Sequence, residues 1–158
     1  MIFTEVDGIF FRAIDPDYRA HALSGSRNAG RYSRSTQATL YLSSSREGVD
    51  AAMQAHKGDR SPTLEIVSVH VVAKRIVDLR NSSALAEIGL SIADAIAPWQ
   101  ELAARGAAPR SWEVRDRLVA CGANGLIDPS RKAPGLWHLV LFSWNLDGAP
   151  QVHLVDET

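Results

Sequence analysis

Cysteine is nearly absent: Cys121 stands alone among 158 residues. No disulfide can form within the chain, which excludes a small secreted scaffold held by such bridges and fits a reducing cytoplasm. Lysine is almost as scarce, since only Lys57, Lys74 and Lys132 of the seventeen basic residues are lysine. The bias to arginine favours planar, bidentate anion recognition or reflects a GC-rich genome. A surplus of positive charge is also missing. The net charge is −1, which argues against direct nucleic-acid binding, because counterion release needs Lys and Arg in excess on one face. No apolar run approaches the roughly 18 residues of a membrane span, and the opening MIFTEVDGIFFR lacks a basic start and a cleavage site. A cytoplasmic protein with no membrane contact is expected. His21, His56, His70, His138, His153 and Cys121 show none of the close spacings of zinc ligands, so no metal is expected. Neither a phosphate-binding loop G-x-x-x-x-G-K-[ST] nor a dinucleotide fingerprint G-x-G-x-x-G occurs, so any nucleotide would be held by side chains.

What is present reads as one domain spanning 1–158, with 46% apolar and 22% charged residues, ordinary values for a globular chain. GIFFRA and ATLYLS have the character of short strands, and Thr63–Leu79 alternates as one long strand or two with a bend. Gly135–Asn145 and Pro150–Glu157 add two more, joined across Asp147-Gly148, a dipeptide that favours a hairpin turn. Three helices fit between them. The first is capped by Ser44 with Glu47 three residues on, and carries Val49, Ala52, Met53 and His56 on one face. The second covers Ala84–Trp99, with Leu85, Ile88, Ile92, Ile96 and Trp99 as its apolar stripe and Gly89 as an interruption. The third runs from a cap at Ser111 to Cys121, with Glu113 and Arg117 spaced as an ion pair and Gly122 as its stop. Mixed strands and helices without regular alternation indicate an α+β domain, a mostly antiparallel sheet with flanking helices. Cys121, at a helix C-terminus, reads as a core thiol.

Two stretches invite a chemical reading. In SRNAGRYSRSTQATLYLSSSREG, from Ser26 to Gly48, Arg27, Arg31, Tyr32 and Arg34 stand among glycines and serines just before a strand. Small residues allow close approach to a ligand, while arginine and tyrosine offer a forked cation and a flat face; the alternative is a solvated connecting loop. In GANGLIDPSRKAPGLWHLVLF, from Gly122 to Phe142, Asp128-Pro129-Ser130-Arg131 reads as a stiff turn between two apolar strands. It either holds Ser130 toward a substrate or only closes the connection.

Together with FFRAIDPDY and IVDLRNSSALAEIGL, these stretches resemble the RES-domain family, the toxin half of bacterial RES–Xre toxin–antitoxin systems, over nearly the whole chain. Arg31, in GRYS where members usually read Gly-Arg-Trp-Asn, matches the family arginine, Ser130 in DPSR its serine, and Tyr41 its tyrosine ten residues after that arginine. Tyr32 and Ser33 replace the usual Trp-Asn, and His138 stands where asparagine is common. The family glutamate falls near Ala52, where VDAAMQAH has none.

The resemblance implies a fold like that of ADP-ribosyltransferase toxins, with NAD+ as co-substrate and no metal. It makes Arg31 the phosphate or ribose clamp, Arg12 a second phosphate contact, Tyr41 the nicotinamide-side platform, and Ser130 a hydrogen-bond partner of ribose or carboxamide, with Tyr32 and Ser33 beside them. His56 either substitutes for the glutamate as base or is a core histidine. The function implied is a growth-inhibiting toxin that transfers ADP-ribose from NAD+ to a cytoplasmic target protein, held in a hetero-oligomer by an Xre-like antitoxin. An NAD+-degrading glycohydrolase or phosphorylase, and a catalytically dead RES binding module, are the alternatives.

Overall fold

Residues 2–55, 64–129 and 135–155 are described by a computed structural model, with the backbone alone for 51–55. Strands β1 (Phe3–Ile14), β2 (Leu40–Ser43), β3 (Glu65–Asp78), β4 (Gly125–Pro129), β5 (Trp137–Leu141) and β6 (Gln151–Leu154) form one sheet in the order β1-β2-β5-β4-β3-β6. β1 also pairs with β3, so five strands close on themselves and β6 lies outside the ring. Among the described strands only β3 and β4 run parallel, and the other pairs are antiparallel. The helices are α1 (Arg46–Ala55), α2 (Ser82–Glu87), α3 (Ile92–Ile96), α4 (Gln100–Ala104) and α5 (Arg110–Ala120).

Strand β3 makes the closure possible. Between the pairs Thr4↔Ile76 and Val6↔Ala73, β1 advances two residues while β3 advances three, and Arg75 sits in this bulge at φ +61°. A bulge bends its strand and raises the local twist. The first part of β3 therefore pairs with β6 through Val69–Val72, and the last part turns to pair with β4 through Ile76–Asp78.

Because side chains alternate across a strand, the sheet divides two cores. Phe10, Ile14, Leu40, Leu42, Val67, Val69, Leu139 and Leu141 fill one side. Tyr32, Val77, Leu85, Ala95, Val114, Leu118, Leu126 and Val140 fill the other, beneath α2, α3 and α5.

Several local expectations are corrected. Ser45, not Ser44, caps α1 by accepting the Gly48 N–H at 3.0 Å, while Ser44 is bound across to Trp137. The helix expected over Ala84–Trp99 is broken at Gly89, as its positive φ requires, but it breaks into short pieces that leave Ile92 and Ile96 exposed. Ser111 lies inside α5, which begins after Pro109, and Arg117 donates to the Ile88 carbonyl rather than pairing with Glu113. Asp128 and Pro129 end strand β4 instead of forming a turn. Gly148 does take the positive φ of a turn, yet β5 and β6 do not pair with each other: β6 adds to β3.

Candidate functional site

GRYS folds as a tight turn. Gly30 N–H donates to the Ser33 carbonyl at 2.9 Å and Ser33 N–H returns to that of Gly30 at 3.3 Å, placing Arg31 and Tyr32 at the tip. Helix α5 fixes this turn by its carbonyls: Trp112 Nε1 donates to Gly30 O at 2.8 Å, Ser111 Oγ to Arg31 O, and Arg115 Nη1 to Tyr32 O at 2.8 Å. Three successive backbone acceptors thus receive side-chain donors from one rigid element. From beneath, the Tyr41 hydroxyl accepts the Tyr32 N–H at 3.0 Å and shares a hydrogen bond of 2.7 Å with Ser33 Oγ. A Cβ on Gly30 would stand 2.6 Å from that hydroxyl, so only glycine allows the approach.

The two tip side chains part. Tyr32 is buried and its hydroxyl donates to Asp128 Oδ1 at 2.7 Å. Arg31 reaches α3, where its Nη1 donates to the carbonyls of Ala95 at 3.0 Å and Ala97 at 2.7 Å, a cation satisfying acceptors at a helix C-terminus. Asp128 belongs to a polar row set by strand register, Ser43↔His138↔Asp128 across β2, β5 and β4, with Ser43 Oγ 2.9 Å from His138 Nδ1. Burial raises the Tyr41 pKa, against the opposing hydrogen bonds from Ser33 and Tyr32, so it stays a neutral phenol. Burial lowers that of Arg115, whose guanidinium also lies 4.8 Å from the Phe142 ring centroid.

Arg12 differs from the cluster around GRYS. It shares a face of β1 with Phe10 and Ile14, both in the first core. Its Nε and Nη1 are buried with no hydrogen-bond partner among the described residues, and burial lowers its pKa. Uncompensated burial of part of a guanidinium is costly unless an anion completes it.

Two clefts adjoin the end of β4. One, of about 430 Å³, lies between the Thr4–Phe10 stretch of β1 and Ile127, Trp137 and Ser44. The other, of about 480 Å³, is walled by Leu79, Leu85, Leu90, Ile92 and Pro129. Arg80 lines both. Asp78 holds it with two hydrogen bonds of 2.9 and 2.8 Å, and its guanidinium stacks 4.9 Å from the Trp137 centroid. Among the described residues, no group of three or more His, Cys, Asp or Glu is placed to hold a metal ion, and no helix is long and apolar enough to cross a membrane.

A family model described as the RES domain matches residues 9–158. The chain belongs to the RES-domain family. Among solved structures it is similar to a chain of the crystal structure of the M. tuberculosis MbcT–MbcA toxin–antitoxin complex. The two share 16% identity at a TM-score of 0.63, over 99% of this chain and 87% of that one. Among curated proteins, none matches.

Within this RES domain, Arg31, Tyr32, Ser33 and Tyr41 come together in the α5-held turn, whereas Arg12 lies in β1 on the face of the first core. His56 and Ser130 lie outside the described residues; in sequence they directly follow the ends of α1 and β4. Asp128, Ser43, Ser111, Trp112 and Arg115 join the site without any expectation from the sequence. Their signal is long range: α5 meets the turn some eighty residues away, and no local spacing encodes that.

Proposed function

We propose that this RES domain is the toxin of a toxin–antitoxin pair, a mono-ADP-ribosyltransferase that moves ADP-ribose from NAD+ to a cytoplasmic target protein. The observation that carries this reading is Arg12, whose Nε and Nη1 are buried without hydrogen-bond partners among the described residues, in a family member folded like a chain of a solved toxin–antitoxin complex. A pyrophosphate is the anion whose geometry suits such a fork. NAD+ supplies an ADP-ribosyl group whose bond to nicotinamide breaks with the electron pair leaving on a neutral base.

In this reading Arg31 holds the phosphate or ribose, Tyr41 walls the nicotinamide side with Tyr32 buried behind it, and Ser130 binds ribose or carboxamide. Arg12, on the other face of the sheet, is a separate phosphate contact. The Tyr41 hydroxyl, together with Ser33, also fixes the turn that aims Arg31, so Tyr41 positions as well as contacts. His56 takes the acceptor's proton as the new bond to the ribosyl carbon forms, in place of the glutamate that VDAAMQAH lacks. Transfer suits that lack, because a docked protein supplies proximity that a free water or phosphate does not. An Xre-like antitoxin covers the pocket until it is lost.

Purified protein incubated with labelled NAD+ and a bacterial lysate tests this. Label on a protein band is expected. Free ADP-ribose or its phosphate without a band would make the chain an NAD+-degrading enzyme, and NAD+ binding without turnover would make it a binding module.

A further inference from the structure

The outer edge of β1 is open. Its inner edge pairs with β3 from Phe3 to Ile14, but its other edge meets β2 only at Phe11↔Ser43. From Thr4 to Phe10 that edge has no backbone partner among the described residues, and all seven residues line the cleft of about 430 Å³. A strand edge with unpaired N–H and C=O groups is a template for another strand, and proteins that do not use one cover it, shorten it or charge it. Here it is not short, and among the described residues it is not covered; Glu5 and Asp7 charge it, and the opposite wall of the cleft offers Ile127 and Trp137.

We infer that this edge receives an extended segment of a partner protein, added as a strand, with basic and apolar residues in alternation. The alternation follows from β1 itself. Glu5, Asp7 and Ile9 are exposed on one face of the strand, where Asp7 Oδ1 also lies 3.0 Å from His70 Nε2, and Val6, Gly8 and Phe10 lie on the other, with Trp137 packed edge-on against Phe10. A residue opposite Glu5 or Asp7 shares their face, so cations are favoured there. Apolar side chains are favoured at the intervening positions. The other charges of the cleft do not change its sign, since Asp78 and Arg80 are paired with each other.

A second copy of this chain fits poorly. Two-fold antiparallel pairing centred on Asp7 brings Asp7 against Asp7 of the other copy, and a centre at Val6 brings Glu5 against Asp7, like charges that are destabilising directly opposite; a centre at Gly8 avoids this but sets Asp7 against Ile9 and gives neither acid a cation. The open edge is a feature of β1 alone and does not depend on whether the domain binds NAD+.

The probe is acetyl-Lys-Val-Lys-Val-Lys-Val-Lys-amide, titrated into the ¹⁵N-labelled full chain. Saturable shifts of the Thr4–Phe10 amides are expected. Replacing the lysines by glutamates should weaken binding about tenfold or more, from several cross-strand charge pairs. Two further peptides carry backbone N-methyl groups, one on the lysines and one on the valines. Only one of these sets points its N–H groups at β1, so one peptide should lose binding and the other keep it. Equal binding of both methylated peptides, or no shift with the parent peptide, would overturn the inference. So would shifts of these amides by NAD+ alone, or self-association of the chain that protects them.

Discussion

Arg12 and Tyr41 show how single side chains carry opposite costs in this fold. Arg12 weakens the ligand-free protein, because two of its nitrogens are buried without partners among the described residues, at a cost of roughly 1–3 kcal/mol. Arg12→Met keeps an unbranched stem for packing and removes the orphaned donors. We expect it to raise stability to denaturant by about that amount while abolishing measurable ADP-ribose binding by calorimetry, the trade of stability for function seen at strained sites. A less stable variant with unchanged affinity would refute the assignment. Tyr41 acts the other way. Its hydroxyl satisfies the Tyr32 N–H and a fully buried Ser33, so Tyr41→Phe should cost about 1–3 kcal/mol near neutral pH. Its folded pKa is raised by burial, so the folded state keeps a proton that the unfolded chain begins to lose near pH 10. Stability from this group is therefore full below about pH 10 and falls as pH rises toward the folded value. Denaturation curves at successive pH values should show a shallower alkaline decline in Tyr41→Phe than in the parent.

At the scale of elements, what is legible in the sequence is what repeats locally. Alternation marks β1, β2, β3 and β6, and the ambiguity between one strand and two over Thr63–Leu79 has a physical source, since β3 is one strand bent by the bulge at Arg75. Asp147-Gly148 signals a turn correctly but says nothing of its neighbours, because a turn fixes a local backbone and not the partner that β6 finds on β3. Asp128 misleads for the same reason. Asp-Pro is a turn signal in isolation, but the hydrogen bond from the Tyr32 hydroxyl satisfies the buried Asp128 side chain inside a strand. Composition raises GRYS as a place for a ligand but leaves a solvated connecting loop open. That Ser111, Trp112 and Arg115 hold it is illegible, since Ser111 has the look of a helix cap until its hydroxyl is seen to donate to the Arg31 carbonyl.

Over the whole molecule, the arginines that stand out in the composition are for the most part engaged. Arg34 pairs with Asp116, Arg80 with Asp78, Arg19 with Glu65 and Arg110 with Asp94, while Arg31 and Arg115 bind backbone carbonyls. With seventeen basic against eighteen acidic residues, these pairs leave no large face of unpaired cations among the described residues to release counterions from a duplex. Affinity of that kind falls by orders of magnitude between about 50 and 200 mM salt even for proteins that do bind. We therefore expect the chain alone to leave duplex DNA unshifted in a mobility assay at about 150 mM salt, including a fragment bearing its own promoter. In the proposed pair any operator binding then belongs to the partner protein, and this chain reaches DNA only through it. A shift by the chain alone that weakens steeply as salt is raised would show a cationic surface that these ion pairs do not leave, and would move the DNA contact onto the RES domain itself.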